Sequence, residues 1–119
     1  MKILIVDDAM FMRKVIRRTL EANGYTDIIE AGDGEQALDI FEKEHPRLVL
    51  LDITMPGMSG LDVLEKIMKI DSQVKVIMCS AMGQEMMIQK AIFSGALDFI
   101  VKPFKEEEFI RVIRQACGE

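Results

Sequence analysis

Short runs of β-branched and aliphatic residues alternate along the chain with longer segments whose apolar positions recur every three to four residues. That alternation predicts an α/β domain built on a parallel sheet. Five strands are expected, at Ile3 to Val6, Asp27 to Glu30, Leu48 to Leu51, Val74 to Cys79 and Phe99 to Val101. All but the second are almost continuously apolar, as strands covered by helices on both faces must be. The more polar Asp27 to Glu30 run is expected at an edge. Helices are predicted between them, over Met10 to Asn23, Gly34 to Glu44, Gly60 to Lys69, Gln84 to Ser94 and Lys105 to Cys117. In the first helix Phe11, Val15, Ile16 and Leu20 mark a buried stripe, with Arg13, Lys14, Arg17 and Arg18 on the opposite side. Gly24 provides a stop for that helix. Pro46, Pro56 and Pro103 all fall in connections, and no repeat, linker or low-complexity tract interrupts the pattern. Residues 1–119 therefore read as one domain.

Composition narrows the picture. With 119 residues, 50% of them hydrophobic, the chain can fill one core without disulfides or metal staples and has no room for a second domain. A net charge of −5 argues against a nucleic-acid surface, which depends on clustered Lys and Arg. Charges interrupt every apolar stretch well short of the roughly 20 residues that span a bilayer. The chain also enters its first strand-like run at Lys2, with no export-signal pattern. A soluble cytoplasmic protein with no membrane partner is expected. Cys79 and Cys117 have no metal-ligand spacing and no neighbouring histidine, so both read as reduced structural thiols.

In parallel α/β sheets, ligands gather beyond the carboxyl ends of the strands, where strand order reverses. Here the first strand ends in Asp7 and Asp8, the third in Asp52, the fourth in Ser80 and the fifth in Lys102 and Pro103. Three carboxylates brought together repel one another unless a cation or a proton compensates. Mg²⁺ answers that need, because it prefers oxygen ligands and typically links carboxylates to phosphate oxygens. A carboxylate nucleophile, a hard cation, a hydroxyl and a lysine together meet the demands of phosphoryl transfer, which rests on positioning and charge neutralisation. A protein or a small phosphodonor is then the expected partner.

These residues resemble the response-regulator receiver family, over essentially the whole chain. The likeness is carried by Asp7-Asp8 after the first strand, Asp52 within L-L-D-I-T-M-P-G-M-S-G, Ser80-Ala81, and Lys102-Pro103-Phe104. It implies a flavodoxin-like, CheY-like doubly wound sheet of order 2-1-3-4-5 flanked by five helices, with a cis bond between Lys102 and Pro103. It also implies that Asp52 is the phosphoacceptor, that Asp8 and Asp52 ligate Mg²⁺ directly, that Asp7 acts through a bound water, and that the Thr54 backbone carbonyl completes the protein ligands. Ser80 and Lys102 would each meet a phosphoryl oxygen, and Phe99 would change rotamer on activation. The implied partners are a histidine kinase as phosphodonor, a downstream target such as a flagellar motor switch component, and a phosphatase. Such a protein is a signalling switch that catalyses its own phosphorylation and dephosphorylation, rather than an enzyme acting on a separate substrate.

Within the family the segment D-D-A-M-F-M-R is similar to stand-alone chemotaxis regulators of the CheY type. The chain departs from their common pattern with Ser80 in place of threonine, Phe99 in place of tyrosine, and Met82 two residues after the hydroxyl. By resemblance Ile88, Ile92 and Phe99 face the partner, while Met87 and Ala91 face the sheet.

Simpler readings stand beside these. Asp8 alone could do no more than cap a helix. Gly57 and Gly60 fit neither a P-loop nor a dinucleotide fingerprint and are assigned to a turn and a helix start. His45, before Pro46, is expected to be exposed and idle. Met82, Met86 and Met87 suit either gap-filling or an adaptable surface, and Glu106 to Glu108 suit a helix first turn. Four other functions compete: a relay intermediate in a different phosphorelay, a haloacid-dehalogenase-type phosphatase, a flavodoxin-like carrier and a binding-only pseudo-receiver. The phosphatase needs a second acid at the position of Thr54. The carrier needs flavin-stacking aromatics, whereas the chain has no Trp and only Tyr25.

Overall fold

Strand side chains point alternately to the two faces of a sheet, so an unbroken apolar strand needs cover on both. The computed structural model describes residues Met1–Glu119 and provides that cover. In chain order the elements are β1 (Ile3–Val6), α1 (Met10–Ala22), β2 (Ile28–Ala31), α2 (Gly34–Glu44), β3 (Leu48–Asp52), α3 (Gly60–Ile70), β4 (Lys75–Ala81), α4 (Glu85–Phe93), β5 (Asp98–Lys102) and α5 (Glu106–Ala116). The five strands form one parallel sheet of order β2-β1-β3-β4-β5, with β2 at an edge as expected. Leu4 and Val6 of β1 pack with Phe41, Val63, Leu64, Ile67 and Ala91 from α2, α3 and α4. Ile3 and Ile5 point the other way, to Ile16 and Leu20 of α1 and Phe109 and Ile113 of α5.

Four strands extend past their predicted ends, β2 to Ala31 and β5 to Lys102 by one residue each, and β3 and β4 into the site. β4 continues through Ser80 and Ala81 because those residues pair with Val101 and Lys102 of β5. β3 takes in Asp52, opposite Cys79. The acid and the hydroxyl therefore sit on sheet backbone, not on free loops.

The first helix needs one correction. Ile16 and Leu20 are buried and Val15 is half-buried, but Phe11 is 79% exposed. The residue lies in the first turn of α1, beyond the end of β1, where no sheet remains beneath it. Arg13 and Arg17 are not idle solvent residues either. Both reach the Glu30 carboxylate of the edge strand, at 3.2 and 2.6 Å, and Lys14 joins them at 3.0 Å. Burial alone would raise the pKa of Glu30, but the hydrogen bonds from Arg17 and Lys14 outweigh it and hold the carboxyl below its ordinary range. A carboxyl depressed in the folded state stabilises the protein above its unfolded pKa and ceases to do so as pH falls through the folded value. Glu30→Gln should therefore cost roughly 1–3 kcal/mol at neutral pH. The gap to wild type should close in acid, as read by urea unfolding at both pH values. A pH-independent gap would refute the ionic origin.

Candidate functional site

Strand order reverses between β1 and β3, whose neighbours β2 and β4 lie to opposite sides. At that crevice the chain places Asp7 and Asp8 just past β1 and Asp52 at the end of β3. One carboxylate oxygen from each lies within 4.8 Å of the others. Asp7 and Asp52 are buried and Asp8 is exposed.

Local chemistry fixes each position. The Ala9 N–H donates to Asp7 Oδ1 at 2.9 Å, closing the turn into α1, and Arg13 donates to the Asp7 main-chain carbonyl at 2.7 Å. No side chain caps α1, so Asp8 is not spent on the helix. On the other flank, Ser59 and Asp62 form a reciprocal capping box at the start of α3. The Gly60 N–H donates to the Ile53 carbonyl at 2.8 Å, drawing that helix start against the end of β3.

Lys102 approaches from β5. Its Nζ donates to Asp7 Oδ2 at 2.9 Å and lies 3.4 Å from Asp52 Oδ1. The bond between Lys102 and Pro103 is cis, as the family resemblance implied. Burial works against the lysine's charge, but the Asp7 bond and the Asp52 charge outweigh it and keep its pKa above the ordinary value. The Asp52 pKa is raised as well, and burial is the main cause; Lys102 opposes that, Asp7 adds to it, and the Thr54 backbone N–H again lowers it. Beneath it the buried Cys79 thiol is pushed up to about 12 by desolvation, which makes it inert packing.

Ser80 completes the rim. Its Oγ is fully buried and has no hydrogen-bond partner, a costly state for a hydroxyl. Thr54 is exposed, its hydroxyl accepting from Gln84 Nε2 at 2.6 Å. Phe99 is 40% exposed and Ile92 is 43% exposed. Met87 and Ala91 pack on the core as expected, and Ile88, half-buried like Met87, packs against it as well. His45 is exposed at the C-terminus of α2, and Met82 and Met86 are largely exposed.

The donor set suits a hard divalent cation with oxygen preference: carboxylates on a partly open rim, with no nitrogen or sulfur ligand among them. Asp7, Asp8 and Asp52 would hold it. The unpartnered Ser80 hydroxyl and the Lys102 ammonium fit the further oxygens of an anionic group beside it. Added Mg²⁺ should raise the melting temperature of chelator-treated protein, since the acid cluster exists only in the folded chain; mass action gives about 2.7 kcal/mol at one hundred times Kd. Asp8→Ala, which leaves the Asp7 and Lys102 bonds in place, should lose that response. A full response in the variant would put the ion elsewhere.

Sequence reasoning missed two contributors, Gln84 and Arg13. Arg13 was legible only as a charge on the polar side of a helix, and nothing in the local sequence marks Gln84.

The family model for the response regulator receiver domain matches residues 3–114, and the chain belongs to that family. The chemotaxis protein CheY of Bacillus subtilis is 48% identical over 117 residues, covering 98% of each chain. A probable transcriptional regulator, ycf27 of Porphyridium aerugineum, is 42% identical over 95% of this chain but only 46% of its own length. Among solved structures, the receiver domain of NtrX from Brucella abortus superposes with a TM-score of 0.92 at 37% identity, over 97% of both chains.

Proposed function

We propose that this protein is a cytoplasmic response regulator that accepts a phosphoryl group from a histidine kinase on Asp52, with Mg²⁺, and thereby switches binding to a protein target. The observation that carries the reading is the buried, unpartnered Ser80 hydroxyl beside a buried carboxylate nucleophile and an anchored lysine. Such a hydroxyl needs an acceptor, and a phosphoryl oxygen on Asp52 supplies one. Mg²⁺, when bound, neutralises charge on the phosphoryl oxygens and tempers the repulsion among the three acids. The ionised Asp52 oxygen attacks phosphorus while the bond to the donor breaks. Lys102 turns from its carboxylate partners to a phosphoryl oxygen, and the Thr54 carbonyl is a further candidate metal ligand. The chain acts as a switch and not as an enzyme with a separate substrate. A phosphatase partner would reset it.

Identity of 48% with a chemotaxis protein over nearly the full length supports a role in chemotaxis, with a flagellar motor component as target. The ycf27 relative keeps a second reading alive, in which the same chemistry serves another phosphorelay.

For output, Ile88 and Phe99 border a groove of about 510 Å³ between α4 and β5, and Ile92 stands exposed one turn further along the helix. A Phe99 ring able to turn into space vacated by a moving Ser80 is a two-state element that a partner can bias. Beryllofluoride addition is expected to move amide signals across α4 and β5, and Ile92→Lys should weaken binding of a motor-switch peptide. Changes confined to the acid rim, or undiminished binding, would reject this face.

A further inference from the structure

Gln84 ties together the two segments that flank Asp52. Its Oε1 accepts the Ala81 N–H at 2.7 Å and its Nε2 donates to the Thr54 hydroxyl at 2.6 Å. A backbone N–H can only donate, so the amide orientation follows from chemistry. Ala81 is next to Ser80 at the end of β4, and Thr54 is two residues beyond Asp52 on the way to α3. Gln84 itself precedes α4 and makes no side-chain cap to that helix. One side chain thus spans the open rim from the β3 side to the β4 side, with both of its polar functions used.

The strap holds Ser80 and Ala81 where the Ser80 hydroxyl has no partner. A phosphoryl group on Asp52 must be admitted between the two strapped segments before that hydroxyl can bond it. We infer that Gln84 is a positioning residue that stabilises the unphosphorylated arrangement of the rim and slows the loading of Asp52. The inference rests on the phosphoacceptor reading above. Two neutral, largely exposed hydrogen bonds restrain a segment only modestly, by on the order of three- to tenfold in an equilibrium constant. That is strong enough to set a rate and weak enough for an anionic group to overcome.

The experiment compares wild type, Gln84→Ala, Thr54→Val and the double variant, following phosphorylation by acetyl phosphate and Mg²⁺ by intact mass, with melting curves alongside. Each single variant should load about three- to tenfold faster. The double variant should gain no more than the faster single one, because the two side chains form one strap. Gln84→Asn, one methylene shorter, should behave like the alanine variant. A role in stability alone would lower melting temperatures without faster loading or this non-additivity. Unchanged or slower loading by Gln84→Ala, or additive effects, would overturn the inference while wild type still loads. Should Gln84→Ala fold poorly, Thr54→Val carries the test, and no acceleration there overturns it equally. A wild type that takes no phosphoryl group would instead sink the phosphoacceptor reading, and the strap with it.

Discussion

Incubated with acetyl phosphate and Mg²⁺, the protein is expected to gain one acid-labile phosphoryl group, and Asp52→Asn or excess EDTA is expected to abolish the gain. Asp52 is the acid that combines burial with access to the remaining machinery: it lies 3.4 Å from the Lys102 ammonium and within 4.8 Å of the Asp7 and Asp8 oxygens. Asp7 is already engaged by Ala9 and Lys102, and Asp8 stands exposed without such support. An amide in place of the Asp52 carboxylate would keep the shape and lose the nucleophile, so the loss should be complete and not graded. Intact-mass analysis decides it. An undiminished adduct on Asp52→Asn would move the acceptor to another side chain.

Gly60→Ala should be the most damaging small substitution in the chain. A Cβ at Gly60 would lie 2.0 Å from the Asp52 carbonyl oxygen and 2.8 Å from the Ile53 Cα. Both obstacles are backbone: Asp52 ends β3 opposite Cys79, and Ile53, just past the strand, donates its N–H to the Cys79 carbonyl at 3.0 Å, so neither can swing aside. The start of α3 would have to back away, breaking the Gly60 to Ile53 hydrogen bond and displacing the capping box. A cost of roughly 3–5 kcal/mol is expected, a large share of a typical domain's stability. Gly57→Ala is the control. Its φ of +74° strains any other residue, but nothing lies within 4 Å of the added carbon, so about 1 kcal/mol should suffice. Urea unfolding of the two variants separates them, and a near-native Gly60→Ala would show that the helix start yields freely.

Much of this was legible in the sequence because β1, β3 and β4 are buried on both faces, leaving continuous apolar runs whose polar ends fall at one rim. Asp7, Asp8, Asp52, Ser80 and Lys102 could be placed there by topology alone. Phe11 misled because helical periodicity records which side of a helix faces inward and not where the sheet beneath it stops. Gln84 and the Arg13 bond to the Asp7 carbonyl were invisible for a different reason. Each joins residues from separate loops or elements, and a polar side chain gives no sign in sequence of which backbone group it will meet. Strand ends shifted by a residue or two because pairing with β5 carries β4 onward through Ala81.

The solitary hydroxyl of Ser80 bears on the energetics of the phosphorylated form. A buried, unsatisfied hydroxyl burdens the resting protein by about 1–3 kcal/mol, and under the proposed function that burden disappears once a phosphoryl oxygen arrives. Under that reading the resting fold is preloaded, and an aspartyl phosphate on Asp52 would have a lower group-transfer potential than a free acyl phosphate by a similar amount. Its hydrolysis would restore the burden, so part of the energy of the broken acyl phosphate bond would be retained in the conformation and not lost to water.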